Sequence, residues 1–278
     1  MTGVGVSYGA ITVVNAMPVG IGATIGVSLR TTASFTPEGN ERIVRIKNDP
    51  AENTDMARFC VSESYAFMKK EEPEGWVLDI DSEIPISRGL KSSSSACNAI
   101  ISSVMNENGF TIDDVELIKL GVKCAKRAKV TVTGSFDDAC GCHLGGFVIT
   151  DNVDNVILFK NSVEEYDVLI HVPEKKIRKT NLPLEELRAL SPQMMDVIRL
   201  AKTDPLKAMT ENGRLISSVS DVDNSVAESA MKNGALGAGM SGSGPAIAIV
   251  LKKGDAERFL EETELTNVIR TTTRDGSK

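Results

Sequence analysis

Histidine is nearly absent from this 278-residue chain. Only His143 and His171 occur, too few for a histidine-rich metal centre and poor material for a Ser-His-Asp triad. Cysteine is scarce and odd in number: Cys60, Cys97, Cys124, Cys140 and Cys142. They show no Cys-x-x-Cys spacing and sit among apolar or small residues, so buried, reduced thiols are expected rather than a disulfide framework or a zinc site. No run of about eighteen apolar residues exists, and no basic patch followed by an apolar core opens the chain. Neither a membrane span nor a secretory signal is therefore predicted, and the expected compartment is the cytoplasm. Positive charge is not in excess either. The formal net charge of -7 argues against nucleic acid as the main partner, because backbone binding needs a dominant basic surface. Any phosphate must be held locally.

What is present is the composition of an ordinary globular protein, 41% hydrophobic and 25% charged, long enough for two modest domains. Ala10 to Asn15, Ala23 to Leu29 and Arg42 to Lys47 are rich in β-branched residues and separated by Gly and Pro signals, which predicts strands. A helix is predicted from about Thr54 to Lys69. Trp76 to Asp81 alternates as a half-buried strand, with Trp76, Leu78 and Ile80 on one face. Ser95 to Glu107 carries an apolar stripe at helical spacing, and another helix is expected from about Asp113 to Lys129. Gly145 to Thr150 and Val156 to Lys160 read as a strand pair. Beyond it come a strand (Asp167 to Val172), several helices between Leu184 and Asn233, a Gly-rich stretch, a strand (Ala246 to Leu251), a helix (Asp255 to Glu262) and a strand (Asn267 to Thr272). The interleaving predicts an α+β protein with domains over 1–160 and 161–278.

Between a predicted strand and a predicted helix lies Pro85-Ile86-Ser87-Arg88-Gly89-Leu90-Lys91-Ser92-Ser93-Ser94-Ser95-Ala96. This segment suits an anion. Glycine permits close backbone approach, N–H groups at a helix start point outwards, and the helix dipole adds about half a positive charge there. The serine hydroxyls can donate to phosphate oxygens or join a magnesium ion's ligand shell, and Arg88 or Lys91 can neutralise charge. It is not a Walker loop, because G-x-x-x-x-G-K-[ST] occurs nowhere in the chain.

Two further motifs follow. In Val130 to Ala139 (VTVTGSFDDA), the adjacent Asp137 and Asp138 invite acid–base work, although Ser135-x-x-Asp138 also fits a helix capping box. Gly237-Ala238-Gly239-Met240-Ser241-Gly242-Ser243-Gly244-Pro245 contains a literal G-x-G-x-x-G. Its context excludes a Rossmann loop, since it leads into an apolar strand rather than opening a helix after one.

The three segments, with the Gly-punctuated opening Tyr8 to Leu29, resemble in order and wording the GHMP kinases, and within them the archaeal-type shikimate kinases, which write the loop as Gly-Leu-Lys-Ser-Ser-Ser. Ser95 stands where that branch more often has alanine. The resemblance implies a two-domain fold, an N-terminal α+β domain with the phosphate loop and a C-terminal ferredoxin-like domain, with the active site between them. It implies ATP and magnesium as cofactors and shikimate as the acceptor. Another GHMP kinase, such as one acting on homoserine, and a non-catalytic ATP-binding sensor are the alternatives. Counting back from Gly145-Gly146, Asp138 falls at the family's catalytic aspartate, with Asp137 as the competitor. Residues 85–95 and Gly239, Ser241, Gly242 and Gly244 would line the nucleotide. The glutamate that some members use for magnesium has no counterpart, since no acidic residue lies between Glu116 and Asp137. Ser93 and Asp137 are the substitute metal ligands expected. For the acceptor's carboxylate, Arg88, Lys91 and Arg214 are the candidate cations.

Overall fold

Glycine and β-branched residues carry the chain's opening in extended form as a long antiparallel hairpin, β1 (Gly3–Val14) and β2 (Ile21–Thr36). The computed structural model describes residues 1–85, 89–131, 134–173 and 183–276. In it β2 is the spine of a six-stranded sheet. β1 runs along one edge of β2, while β4 (Trp76–Ser82) and β5 (Phe147–Asp151) share the other; β3 (Arg42–Ile46) lies parallel beside β4, and β6 (Val156–Asn161) beyond β5. Both hairpin strands run further than the sequence predicts, because glycines that lower local strand propensity sit where another element comes close.

Gly3 and Gly5 show this directly. A Cβ at Gly5 would lie 2.1 Å from the Ala99 carbonyl oxygen, and one at Gly3 would lie 2.1 Å from that of Ser103. The helix they admit, α2 (Ser92–Glu107), packs with α1 (Asp55–Met68) and α3 (Asp114–Arg127) over a core that includes Phe35, Trp76, Leu78, Ile100, Ile101 and Val104. A fourth helix, α4 (Phe136–Leu144), lies against β1, β2 and β5. The capping box does not form there. Ser135 adopts a left-handed φ of 52° without a side-chain cap, and its hydroxyl meets that of Thr131 at 2.7 Å. The strand pattern at Trp76–Ser82 is also less strict than alternation suggests, because Val77 is buried too.

The second sheet is antiparallel, in the order β10 (Val268–Thr272), β7 (Asp167–His171), β9 (Ile247–Leu251), β8 (Gly237–Met240). Numbered from its own first strand this is 4-1-3-2, the ferredoxin-like order. Its helices are α5 (Leu184–Ala189), α6 (Ser191–Ala201), α7 (Pro205–Ser217), α8 (Ser225–Lys232) and α9 (Ala256–Thr263). The first half of the Gly-rich stretch is thus a strand rather than a loop. Lack of side chains lets it lie against α7, where a Cβ at Gly239 would be 2.5 Å from the Met209 carbonyl oxygen.

One apolar core runs through both sheets, from Ile11, Val13 and Ile25 to Met194, Ile198, Met209, Ile247 and Ile249. We propose dividing the chain in the connection from β6 to β7, with the tail after β10 returning to the first sheet. There the Arg274 N–H donates to the Gly26 carbonyl at 2.8 Å, and its guanidinium lies 4.2 Å from the centre of the Tyr8 ring. All five cysteines are free and buried. Among the described residues no helix is long and apolar enough to cross a membrane.

The close seat of α2 on β1 gives a direct check. Gly5→Ala should lower unfolding stability by about 1–3 kcal/mol or more, measured by chemical denaturation, because the added methyl meets backbone that cannot swing away. A loss below about 0.5 kcal/mol would contradict this packing.

Candidate active site

The helix that the apolar stripe predicts from Ser95 begins three residues earlier, at Ser92. The residue before it is unusual for a helix start. Lys91 has no side-chain oxygen with which to accept from the first-turn N–H groups, and it adopts a left-handed φ of 67°. The first turn also carries no acidic residue. The N–H groups of an uncapped, carboxylate-free helix start suit an external anion.

Lys91 instead turns its ammonium inwards. Its side chain is 4% exposed, donating to Asp138 Oδ1 at 2.7 Å and to Thr12 Oγ1 at 2.8 Å. Thr12 Oγ1 also accepts from the Gly242 N–H at 2.8 Å. Gly89, with φ 83°, comes so close to the C-terminal motif that a Cβ would sit 2.2 Å from the Ser241 carbonyl oxygen. The Ser241 hydroxyl in turn donates to the Gly89 carbonyl at 2.9 Å. Gly242, at φ 62°, would place a Cβ 3.2 Å from Lys91 Nζ. Four segments remote in sequence, around 12, 89–91, 138 and 241–242, therefore meet at one point.

The two aspartates occupy different environments although they are adjacent. Asp138 keeps part of its side chain exposed, 18%, beside Lys91. Asp137 is enclosed: its Oδ1 accepts from Asn152 Nδ2 at 2.7 Å, and its N–H donates to Asn152 Oδ1 at 3.0 Å. Gly22 is pressed against its other oxygen, where a Cβ would lie 2.2 Å from Oδ2. Burial raises the Asp137 carboxyl from the ordinary range to about 7, the Asp138 charge adding to the rise and Lys91 and Asn152 opposing it.

Not every expected residue faces this meeting point. Pro85 and Gly89 flank Ile86, Ser87 and Arg88, which lie outside the described residues. Leu90 is a buried core anchor. Ser92 and Ser93 are half-buried and Ser94 is buried, while Ser95, a turn into α2, is fully enclosed with its hydroxyl unpartnered. Ser95 thus faces protein rather than solvent. Gly239 serves the contact between β8 and α7, and Gly244, with φ 73°, turns the chain against Met240 and Val222. Arg214 is committed elsewhere, paired with Glu228 and Glu211, each at 2.8 Å.

Three residues that shape the geometry were not among the expected site residues. Thr12 lies within β1 and Asn15 just after its end, and Asn15 donates through Nδ2 to the Gly242 carbonyl at 2.9 Å. Asn152 follows β5 directly and clamps Asp137. The available signal was polarity in apolar surroundings, which does not specify a partner.

Comparison with known proteins follows the same segments. Residues 58–146 match the GHMP kinases N terminal domain, and residues 198–264 match the GHMP kinases C terminal domain. A shikimate kinase of Pyrococcus abyssi is 35% identical over 89% of this chain and 90% of its own length; one of Thermococcus kodakarensis is 34% identical over 95% and 96%. A Methanosarcina mazei shikimate kinase is 36% identical over 88% and 84%. Among solved structures, Methanococcus jannaschii mevalonate kinase superposes with a TM-score of 0.81 at 17% identity over 99% and 98% of the two chains. A Cytophaga hutchinsonii homoserine kinase does so with a TM-score of 0.73 at 16% identity over 99% and 96%.

The environment of Asp137 sets a pH test. A carboxyl raised in the folded state binds more protons there than in the unfolded chain between about pH 4 and 7, so stability falls as pH rises through that window. Relative to Asp137→Asn, the wild-type protein should gain thermal stability from pH 8 to pH 5, by roughly 3 °C or more in Tm. An unchanged difference between the two proteins would contradict the burial.

Proposed function

The chain belongs to the GHMP kinase family, and we propose, from its shikimate kinase relatives and from the site, that it is itself a shikimate kinase. It transfers the γ-phosphoryl group of ATP to the 3-hydroxyl of shikimate, giving ADP and shikimate 3-phosphate on the route to chorismate and the aromatic amino acids. The observation that carries the chemistry is the contact of Lys91 with Asp138, which joins the serine-rich helix start to the acidic helix beside Gly242.

In this reading the α2 N–H groups with Ser92 and Ser93 receive the triphosphate, and the turn at Ser241 and Gly242 forms the adjoining wall. Asp138 is the catalytic carboxylate: it accepts a hydrogen bond from the acceptor hydroxyl, directs a lone pair at phosphorus, and takes the proton as the new P–O bond forms. The bond from the γ-phosphorus to the bridging oxygen breaks, and its electron pair leaves with ADP. Phosphoryl transfer has a loose transition state and needs a strong base less than it needs position and charge. The ammonium of Lys91 supplies both, by fixing Asp138 and by lying near the negative charge of the transferring group.

Asp137 suits a positioning role better than the metal-ligand role that the sequence suggests, since Asn152 and Gly22 enclose its carboxylate. Among the described residues no group of three or more His, Cys, Asp or Glu could hold a metal ion. Magnesium commonly keeps several waters and the substrate's phosphates as ligands, and Ser93 is then the protein contact that fits. When bound, the ion screens the charge on the phosphate oxygens. The cytoplasm, which supplies ATP and keeps thiols reduced, is the compartment that this chemistry needs.

Purified protein should form ADP in the presence of shikimate and not of homoserine. Asp138→Asn should reduce kcat by about a hundred- to ten-thousand-fold while the affinity for an unreactive ATP analogue stays within about threefold. Turnover of homoserine alone, or a nearly unimpaired variant, would overturn this reading.

A further inference from the structure

Of the cations that the sequence offers for the acceptor's carboxylate, Lys91 is held by Asp138 and Arg214 by Glu228 and Glu211, while Arg88 lies outside the described residues. A different pair faces a cleft beside the acidic turn. This cleft runs between the turn that joins β1 to β2, the end of α3, the turn after β5 and the junction of α5 with α6. Its lining includes Met17, Gly20, Lys126, Asn152, Arg188 and Ser191.

Three observations set the cleft apart. It adjoins the 134–138 turn, since Asn152 in its lining is the residue that clamps Asp137. Lys126 lies against Gly134 closely enough that a Cβ there would be 2.4 Å from its Cε. Its cations are also uncompensated. Among the described residues no Asp or Glu lines the cleft, and neither Lys126 nor Arg188 takes part in an ion pair. Lys123 and Arg127, on the same helix as Lys126, are both neutralised by Glu63, at 2.7 and 2.9 Å. Elsewhere the pattern is the opposite: the groove on the outer sheet face brings Arg30, Arg45 and Lys47 together with Asp79, Asp81 and Glu83, and so needs no outside anion. Finally, Arg188 is held at the cleft by the chain itself, because the Ser191 hydroxyl donates to the Pro18 carbonyl at 3.0 Å and ties the junction of α5 and α6 to the hairpin turn.

Two cations of like sign facing one concavity without a counter-charge create a local positive potential that an entering anion relieves. A guanidinium also matches a carboxylate with two parallel hydrogen bonds. We infer that Lys126 and Arg188 form the site for the carboxylate of the acceptor, holding the acid across the cleft with its hydroxyl towards Asp138. The inference rests on the reading of the chain as a kinase of a hydroxylated acid. It adds the residues that select for the acid group.

The test is steady-state kinetics of the full-length protein and its Arg188→Gln and Lys126→Gln variants, with shikimate and with its uncharged methyl ester. Each variant should raise KM for shikimate by about tenfold or more, with kcat and the KM for ATP within about twofold, since only binding common to ground and transition states is lost. KM for the ester should not change between wild type and variants, and Arg188→Lys should recover part of the loss with shikimate. Unchanged KM for shikimate in both variants, or an equal rise with the ester, would overturn the carboxylate site. Failure of the wild type to phosphorylate any hydroxylated acid would instead overturn the kinase reading beneath it, so the two failures are distinguishable.

Discussion

The ammonium of Lys91 is the point on which the site depends. It sits almost fully enclosed between a carboxylate on α4 and a hydroxyl on β1, and that hydroxyl also accepts from the backbone of the C-terminal turn. Removing one partner of such a pair leaves an uncompensated buried charge, at a cost of about 3–5 kcal/mol. The same side chain thereby fixes the orientation of Asp138 and the start of α2. The left-handed backbone of Lys91 and the close approach of Gly89 to Ser241 are what bring the ammonium there. One residue thus couples the start of α2 to the carboxylate of Asp138.

Adjacent aspartates separate their tasks by environment alone. One lies partly open beside a cation, while its neighbour is enclosed, hydrogen-bonded twice to Asn152, and its pKa raised by burial to about 7. A buried, like-charged neighbour is costly unless it titrates, and proton uptake by Asp137 would leave a single negative charge facing Lys91.

Much of the fold was legible because its periodicities are strong. The helices α1 and α3, the strands β4, β7, β9 and β10 and the helix α9 fall within a few residues of the sequence reading, since each is an apolar period or a short apolar run between polar or Gly signals. Where the reading fell short, tertiary contact overrode local propensity. The first strand was expected only from Ala10, yet Gly3 and Gly5 belong to it as seats for α2; no strand was expected in the Gly-rich stretch, yet Gly237 and Gly239 lie in one against α7. At the candidate site, the serine-rich segment and the acidic pair stood out as motifs, and the structure brings Lys91 of the one to Asp138 of the other. Thr12, Asn15 and Asn152 did not stand out, because a single polar residue in or just beyond an apolar strand does not reveal what it will meet. Ser95 illustrates the reverse error: four serines in a row look equivalent, yet helical geometry turns the last of them into the core.

The coupling between Lys91 and Asp138 is most directly measured by a double-mutant cycle on kcat/KM, using Lys91→Met, Asp138→Asn and the double variant. If the two side chains act as one unit, the double variant should lie within about threefold of Asp138→Asn alone, because the second substitution removes what is already lost. Losses that multiply across the cycle would show two independent contributions, and would contradict the account of Lys91 as the residue through which Asp138 is set.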